Sequence, residues 1–124
     1  VNTQYSLFQE GASIVWRQYM SSSSTLVSQY TTTSSYISTS NWAHIVGTYT
    51  SGSRITYING VAVTSDSQTG TINTNTSGMY IGAYGTGTGY FYNGALSICR
   101  VYNRVLSATE ILQNFNALRG RYGI

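Results

Sequence analysis

The stretch "RITYINGVAVT" (residues 54–64) sets two β-rich runs on either side of Asn59-Gly60. Both turn residues tolerate the positive φ that a two-residue type I′ turn requires, so the segment predicts a β-hairpin. That geometry pairs Ile58 with Val61 and Thr56 with Val63. Just upstream, "NWAHIVGTY" (41–49) alternates with period two, with Trp42, His44, Val46 and Thr48 on one face and Ala43, Ile45, Gly47 and Tyr49 on the other. Large apolar groups on both faces predict a central strand.

Period two extends outward in both directions. "YSLFQ" (5–9) and "SIVWRQYM" (13–20) read as strands separated by a turn at Glu10-Gly11. "TLVSQY" and "SYIS" follow as edge strands among Ser/Thr clusters. Beyond the hairpin, a loop containing Asp66 leads to an expected strand "MYIGAY" (79–84), the Gly-rich "GTGTGYFYNG", and an expected last strand "ALSICRVY" (95–102). The period changes only after residue 106. Ser107 and Glu110 have capping-box spacing. Ile111, Leu112, Phe115 and Leu118 then recur at helical intervals, and Gly120 is the expected stop. The expectation is one domain over residues 1–124, with a helix at about 107–118 that braces a β-sandwich and a basic tail at 119–124.

Composition narrows the function classes. Charged residues make up 7% of the 124, against roughly 25% in an average soluble domain. The surface is therefore polar but nearly uncharged, as in secreted, adhesive and virion-surface β proteins. The net charge of +3 comes from arginine alone, too little for strong attraction to nucleic acid. One "RGRYG" at 119–123 and one "GTGTG" with no lysine after it make neither an RNA-binding tail nor a phosphate loop. No stretch is long and apolar enough to span a bilayer, and Val1 opens no signal peptide. Nucleic-acid and membrane partners are thus not expected. Cys99 is the only cysteine, and its apolar neighbours predict a buried thiol.

The run of motifs W-x-H-I-V-G-T-Y, I-T-Y-I-N-G-V, T-N-T-S-G-M-Y-I-G-A-Y and Y-N-G-A-L-S-I-C-R-V-Y-N-R-V-L-S-A-T-E-I resembles the concanavalin A-like lectin/glucanase superfamily, in its laminin-G-like branch. The resemblance covers about residues 41–118. It implies an all-β fold, an antiparallel jelly-roll sandwich with one short C-terminal α-helix, in modules that bind glycans or serve adhesion and structure. The closing "LSATEILQNFNALRGRYGI" is similar to the end of such domains in tailed-phage virion proteins, particularly those of marine phages. Family domains usually carry more sequence ahead of the W-x-H-I-V strand, which implies strands that are missing, shortened or supplied by a neighbouring chain. Members often have acidic residues after the glycine of the last strand. Ser97 and Ile98 stand there instead, and Asp66 is the sole aspartate, so a calcium site of the family kind is unsupported and no cofactor is expected.

Catalysis is not expected either. Glycoside hydrolysis ordinarily uses two flanking carboxyl groups. The chain offers Glu10, Asp66 and Glu110, the last already assigned to the helix cap. His44, beside Trp42 in an expected strand, reads as structural rather than as a catalytic base. Twelve tyrosines supply flat faces with hydroxyl handles suited to sugar rings. Tyr84, Tyr90, Tyr92 and Asn93 are the candidate glycan contacts, and Arg119, Arg121 and Tyr122 the candidate docking residues. The first expectation is a non-catalytic virion-surface structural module, a capsid decoration or fibre domain with a glycan-adhesive role. Its partners would be other virion proteins, further copies of itself or a cell-surface glycan. The alternative is a carbohydrate-binding module of an extracellular bacterial protein, with a degenerate glucanase third.

Overall fold

A computed structural model of the chain describes residues 5–21, 25–32, 37–38, 40–74, 76, 78–83 and 89–124. Six strands come first: β1 (Tyr5–Glu10), β2 (Ser13–Met20), β3 (Thr25–Thr32), β4 (Ile45–Thr50), β5 (Ser53–Ile58) and β6 (Val61–Asp66). The helix α1 (Ala108–Tyr122) closes the chain. The strands make two antiparallel three-stranded sheets, β1-β2-β3 and β4-β5-β6, each a run of consecutive hairpins. The architecture is an antiparallel β-sandwich with one C-terminal helix.

Alternation along β2 explains how the sheets meet. Ile14, Trp16, Gln18 and Met20 share one face and are buried. Trp16 crosses to the second sheet, where its indole N–H donates to the Thr48 carbonyl at 3.1 Å. It lies flat on Gly47, where a Cβ would come within 2.7 Å of the indole ring. Glycine in β4 is thus what admits the largest side chain of the interface.

Deeper in, the interface turns polar. Arg54 on β5 is 2% exposed. Its guanidinium holds Asp66 on β6 at 2.6 Å, the Gln18 side-chain oxygen at 2.8 Å and the Val27 carbonyl at 3.1 Å. Gln29 donates to the Arg54 carbonyl and accepts from the Thr56 hydroxyl, and Thr31 bonds Thr64 across the sheets. Burial pushes the Asp66 carboxyl up, but hydrogen bonds from Arg54 and Gln29 and the Arg54 charge outweigh it, leaving the group below its ordinary range. Asp66, expected in a loop, ends β6 and anchors the one buried cation of the sandwich among the described residues.

The hairpin expectation holds, with one shift. Asn59 and Gly60 take φ of 51° and 81°, and Ile58 pairs with Val61. A bulge between Thr56 and Tyr57 then slides the register, so Thr56 opposes Thr64 rather than Val63. Thr56, Tyr57 and Ile58 are all buried, because β5 is covered on both faces. Strand β4 begins only at Ile45 and lies at the sheet edge, with β5 in the centre, so "NWAHIVGTY" is not the central strand expected from its apolar faces.

The outer face of the second sheet is covered by α1. Ile111, Leu106 and Tyr57 form a buried cluster flanked by Val46 and Ile55. Ser107 and Glu110 make the full capping box. Arg104 bonds the Glu110 carboxylate and, with the Ser107 backbone N–H, holds its pKa at about 2. The helix runs through Gly120 and stops at Gly123, in left-handed conformation with its N–H on the Arg119 carbonyl. Residues 119–122 are therefore its last turn rather than a tail.

The second half of the expected strand set differs most. Among the described residues of 79–84, and throughout 95–102, there is no strand. Residues 91–105 are exposed without exception, including Cys99, whose apolar neighbours predicted a buried thiol. Among the described residues, the two sheets consist of β1 to β6 alone, and this second half of the chain adds no strand to either. The expected strand "SYIS" falls partly outside the described residues, and Ile37 and Ser38 are not in a strand.

Candidate functional site

Three separate pieces of chain converge on an open cleft of about 490 Å³. Gln9 enters from the end of β1, Ser38, Asn41 and Trp42 from the connection between β3 and β4, and Tyr92 to Ala95 from the irregular segment before the helix. The lining combines two aromatic rings with the side-chain amides of Gln9, Asn41 and Asn93 and with serine hydroxyls. Amides and hydroxyls both donate and accept, which suits a ligand rich in hydroxyl groups.

Both rings are held in place. Trp42 packs on Tyr122 with centroids 5.1 Å apart, and the Tyr122 hydroxyl shares a short hydrogen bond with that of Ser97. The last helical turn thus supports the cleft wall from behind, while Trp42 keeps 38% of its surface exposed. Tyr92 is anchored by its backbone N–H on the Gly82 carbonyl at 2.9 Å. Its ring folds back over Gly94, where a Cβ would sit 2.7 Å from ring carbons. Glycine at 94 is therefore what lets this ring lie along the cleft.

Of the glycan candidates, Tyr92 and Asn93 come together in the cleft. Tyr90 stands outside it, 87% exposed and with φ of 52°, and Tyr84 lies outside the described residues. Of the docking candidates, Tyr122 turns inward onto Trp42, whereas Arg119 and Arg121 are exposed on the last turn. Trp42, Asn41, Gln9 and Gly94 were missed. The period-two pattern assigns Trp42 to a strand, whereas β4 begins at Ile45 and Trp42 lies ahead of it, 38% exposed.

The carboxylates are dispersed, each facing an arginine: Glu10 with Arg17 at 3.9 Å, Asp66 with Arg54 and Glu110 with Arg104, both at 2.6 Å. His44 is half-buried, its ring stacked on Phe115, and burial first and Arg100 second lower its pKa, so it is neutral at pH 7. Among the described residues, no three His, Cys, Asp or Glu side chains gather where they could hold a metal ion.

The family model Laminin_G_3, described as the concanavalin A-like lectin/glucanases superfamily, matches residues 2–112. A crystal structure of an S-layer domain-containing protein from Clostridium thermocellum is similar in fold, with a TM-score of 0.57 and 22% sequence identity. The match covers 90% of this chain and 55% of that one, so the chain spans about half the length of the solved structure. No curated protein matches.

Proposed function

For a chain that belongs to the concanavalin A-like lectin/glucanases superfamily, we propose a non-catalytic carbohydrate-binding module of an extracellular or surface-associated protein. The observation that carries this reading is the cleft itself, which sets Trp42 and Tyr92 beside the amides of Gln9, Asn41 and Asn93. Rings supply flat apolar faces for the C–H faces of a sugar, and amides meet its hydroxyls. That the module is non-catalytic is supported by the engagement of all three carboxylates with arginine, since a hydrolase needs two of them across one bond. The surface location is supported by the nearly uncharged composition and by the S-layer title of the structural neighbour. The finer virion-surface role, as capsid decoration or fibre domain, rests on the closing segment of the sequence, and Tyr122 of its docking set is occupied with Trp42.

The test is a glycan array followed by titration of the best ligand. Trp42→Ala and Tyr92→Ala should each weaken binding roughly tenfold or more, as loss of a central aromatic contact does. Unchanged affinity in both variants would overturn the assignment of the cleft.

A further inference from the structure

Pairing every carboxylate with an arginine leaves a remainder with a definite location. Six arginines less the three bound to Glu10, Asp66 and Glu110 leave Arg100, Arg119 and Arg121, equal to the whole net charge of +3. All three lie on or against α1, and none on the strands. Arg119 is engaged locally, its Nε–H on the Ile124 carbonyl and its guanidinium over the Phe115 ring. Arg100 reaches from the irregular segment to the Asn114 side chain at 3.4 Å. Arg121 stands seven residues beyond Asn114, which at 1.5 Å per residue places it about 10 Å further along the same helical stripe.

This stripe ends beside the ring that backs the cleft wall. The Arg121 guanidinium is 5.8 Å from the Tyr122 ring centre, and Tyr122 is the ring that supports Trp42 in the cleft wall. We infer that the cleft takes an acidic glycan chain, bearing carboxylate or sulfate groups, whose sugars meet Trp42 and Tyr92 while its charges meet Arg121 and then Arg100. The inference rests on the sugar-binding reading of the same cleft and narrows its ligand class. Arg121 and the Asn114 to which Arg100 is bonded lie about 10 Å apart along the helix, which suits an extended chain rather than a single sugar, and guanidinium groups match the geometry of carboxylate and sulfate oxygens. The nearest carboxylate in sequence to the cleft, Glu10, alternates onto the face of β1 opposite Gln9 and is held by Arg17, so it does not oppose an anion there.

The experiment titrates the whole chain with a polyuronate octasaccharide and a neutral glucan octasaccharide at roughly 0.05 M and 0.5 M salt, on either side of the ionic strength where screening reaches about 10 Å. The same titrations are repeated with Trp42→Ala and with the double variant Arg100→Gln/Arg121→Gln, with thermal unfolding as the check on folding. The expected result is polyuronate binding that exceeds glucan binding about tenfold and falls with salt. It should be lost in Trp42→Ala and weakened roughly tenfold in the double variant, whose weak glucan binding stays unchanged. Equal binding of both sugars would overturn the acidic-ligand inference while leaving the sugar-binding reading intact. Binding of neither would overturn both. Polyuronate binding indifferent to Trp42→Ala would mean adsorption on arginine alone, and would overturn the inference.

Discussion

Residues 13–20 and 95–102 carry the same kind of sequence, eight strand-like residues rich in apolar side chains with one arginine each. The first is β2, paired on both sides and with Val15 and Met20 wholly buried. The second pairs with no strand, and Leu96, Ile98, Val101 and Tyr102 all keep more than two fifths of their surface exposed. The contrast teaches that strand-like sequence encodes a propensity, not a partner. A strand exists when neighbouring backbone satisfies its N–H and C=O groups, and that is a property of the sheet rather than of the eight residues.

The comparison is broken most directly at Trp16. Trp16→Ala removes the ring resting on Gly47 and the bond to Thr48, and should destabilise the sandwich by about 3–5 kcal/mol in chemical denaturation. A cost below about 1 kcal/mol would mean that the two sheets do not depend on this contact.

A smaller effect is expected at Arg54. Arg54→Leu leaves the Gln18 side-chain oxygen and the Val27 carbonyl without their donor and Asp66 without its cation. Removing a partner from a fully buried pair costs about 3–5 kcal/mol, and the 37% exposure of the Asp66 side chain reduces this to about 2–3 kcal/mol. The pH dependence carries its own sign. Because the folded Asp66 pKa lies below its unfolded value, its contribution is complete above about pH 4 and is lost as pH falls through the folded value. The native chain should therefore weaken toward acid more steeply than Arg54→Leu, as read from denaturant midpoints between pH 7 and pH 2. Parallel profiles would show that the ion pair contributes nothing to acid stability.

The smallest effect sharpens the other side of the comparison. Ile98→Asn, in the exposed segment, should change stability by less than about 0.5 kcal/mol, whereas Ile58→Asn in the hairpin should lower it by several times as much. A loss at Ile98 equal to that at Ile58 would mean that the segment is packed in solution.

Much of the fold was legible because its signals are local. The Asn59-Gly60 turn rests on two residues that accept positive φ, and the helix start on a serine and a glutamate three residues apart. The run read as a strand, residues 13–20, is β2 as observed, set off by the turn signal at Glu10-Gly11 and followed by a serine run. In the site, Tyr92 and Asn93 were reached from the crowding of aromatic and amide groups in one loop, a matter of composition. Trp42 was not, because its exposure depends on where β4 begins, and that is set by the Asn59 side chain, which accepts from the His44 backbone N–H at 2.9 Å.

What the sequence by itself determined, then, is where the chain turns, where the helix is capped, which faces are apolar, and that the molecule has only three carboxylates to work with. Tertiary structure alone decided that Arg54 is buried between the sheets, that Tyr122 supports Trp42, that the Thr56 bulge shifts the register, and that residues 95–102 go unpaired. The physical reason is range. Turns and caps are settled by atoms within four residues of one another, while the packing of one sheet on the other depends on groups 25 to 36 residues apart, as Gln29 with Arg54 and Gln18 with Arg54 are.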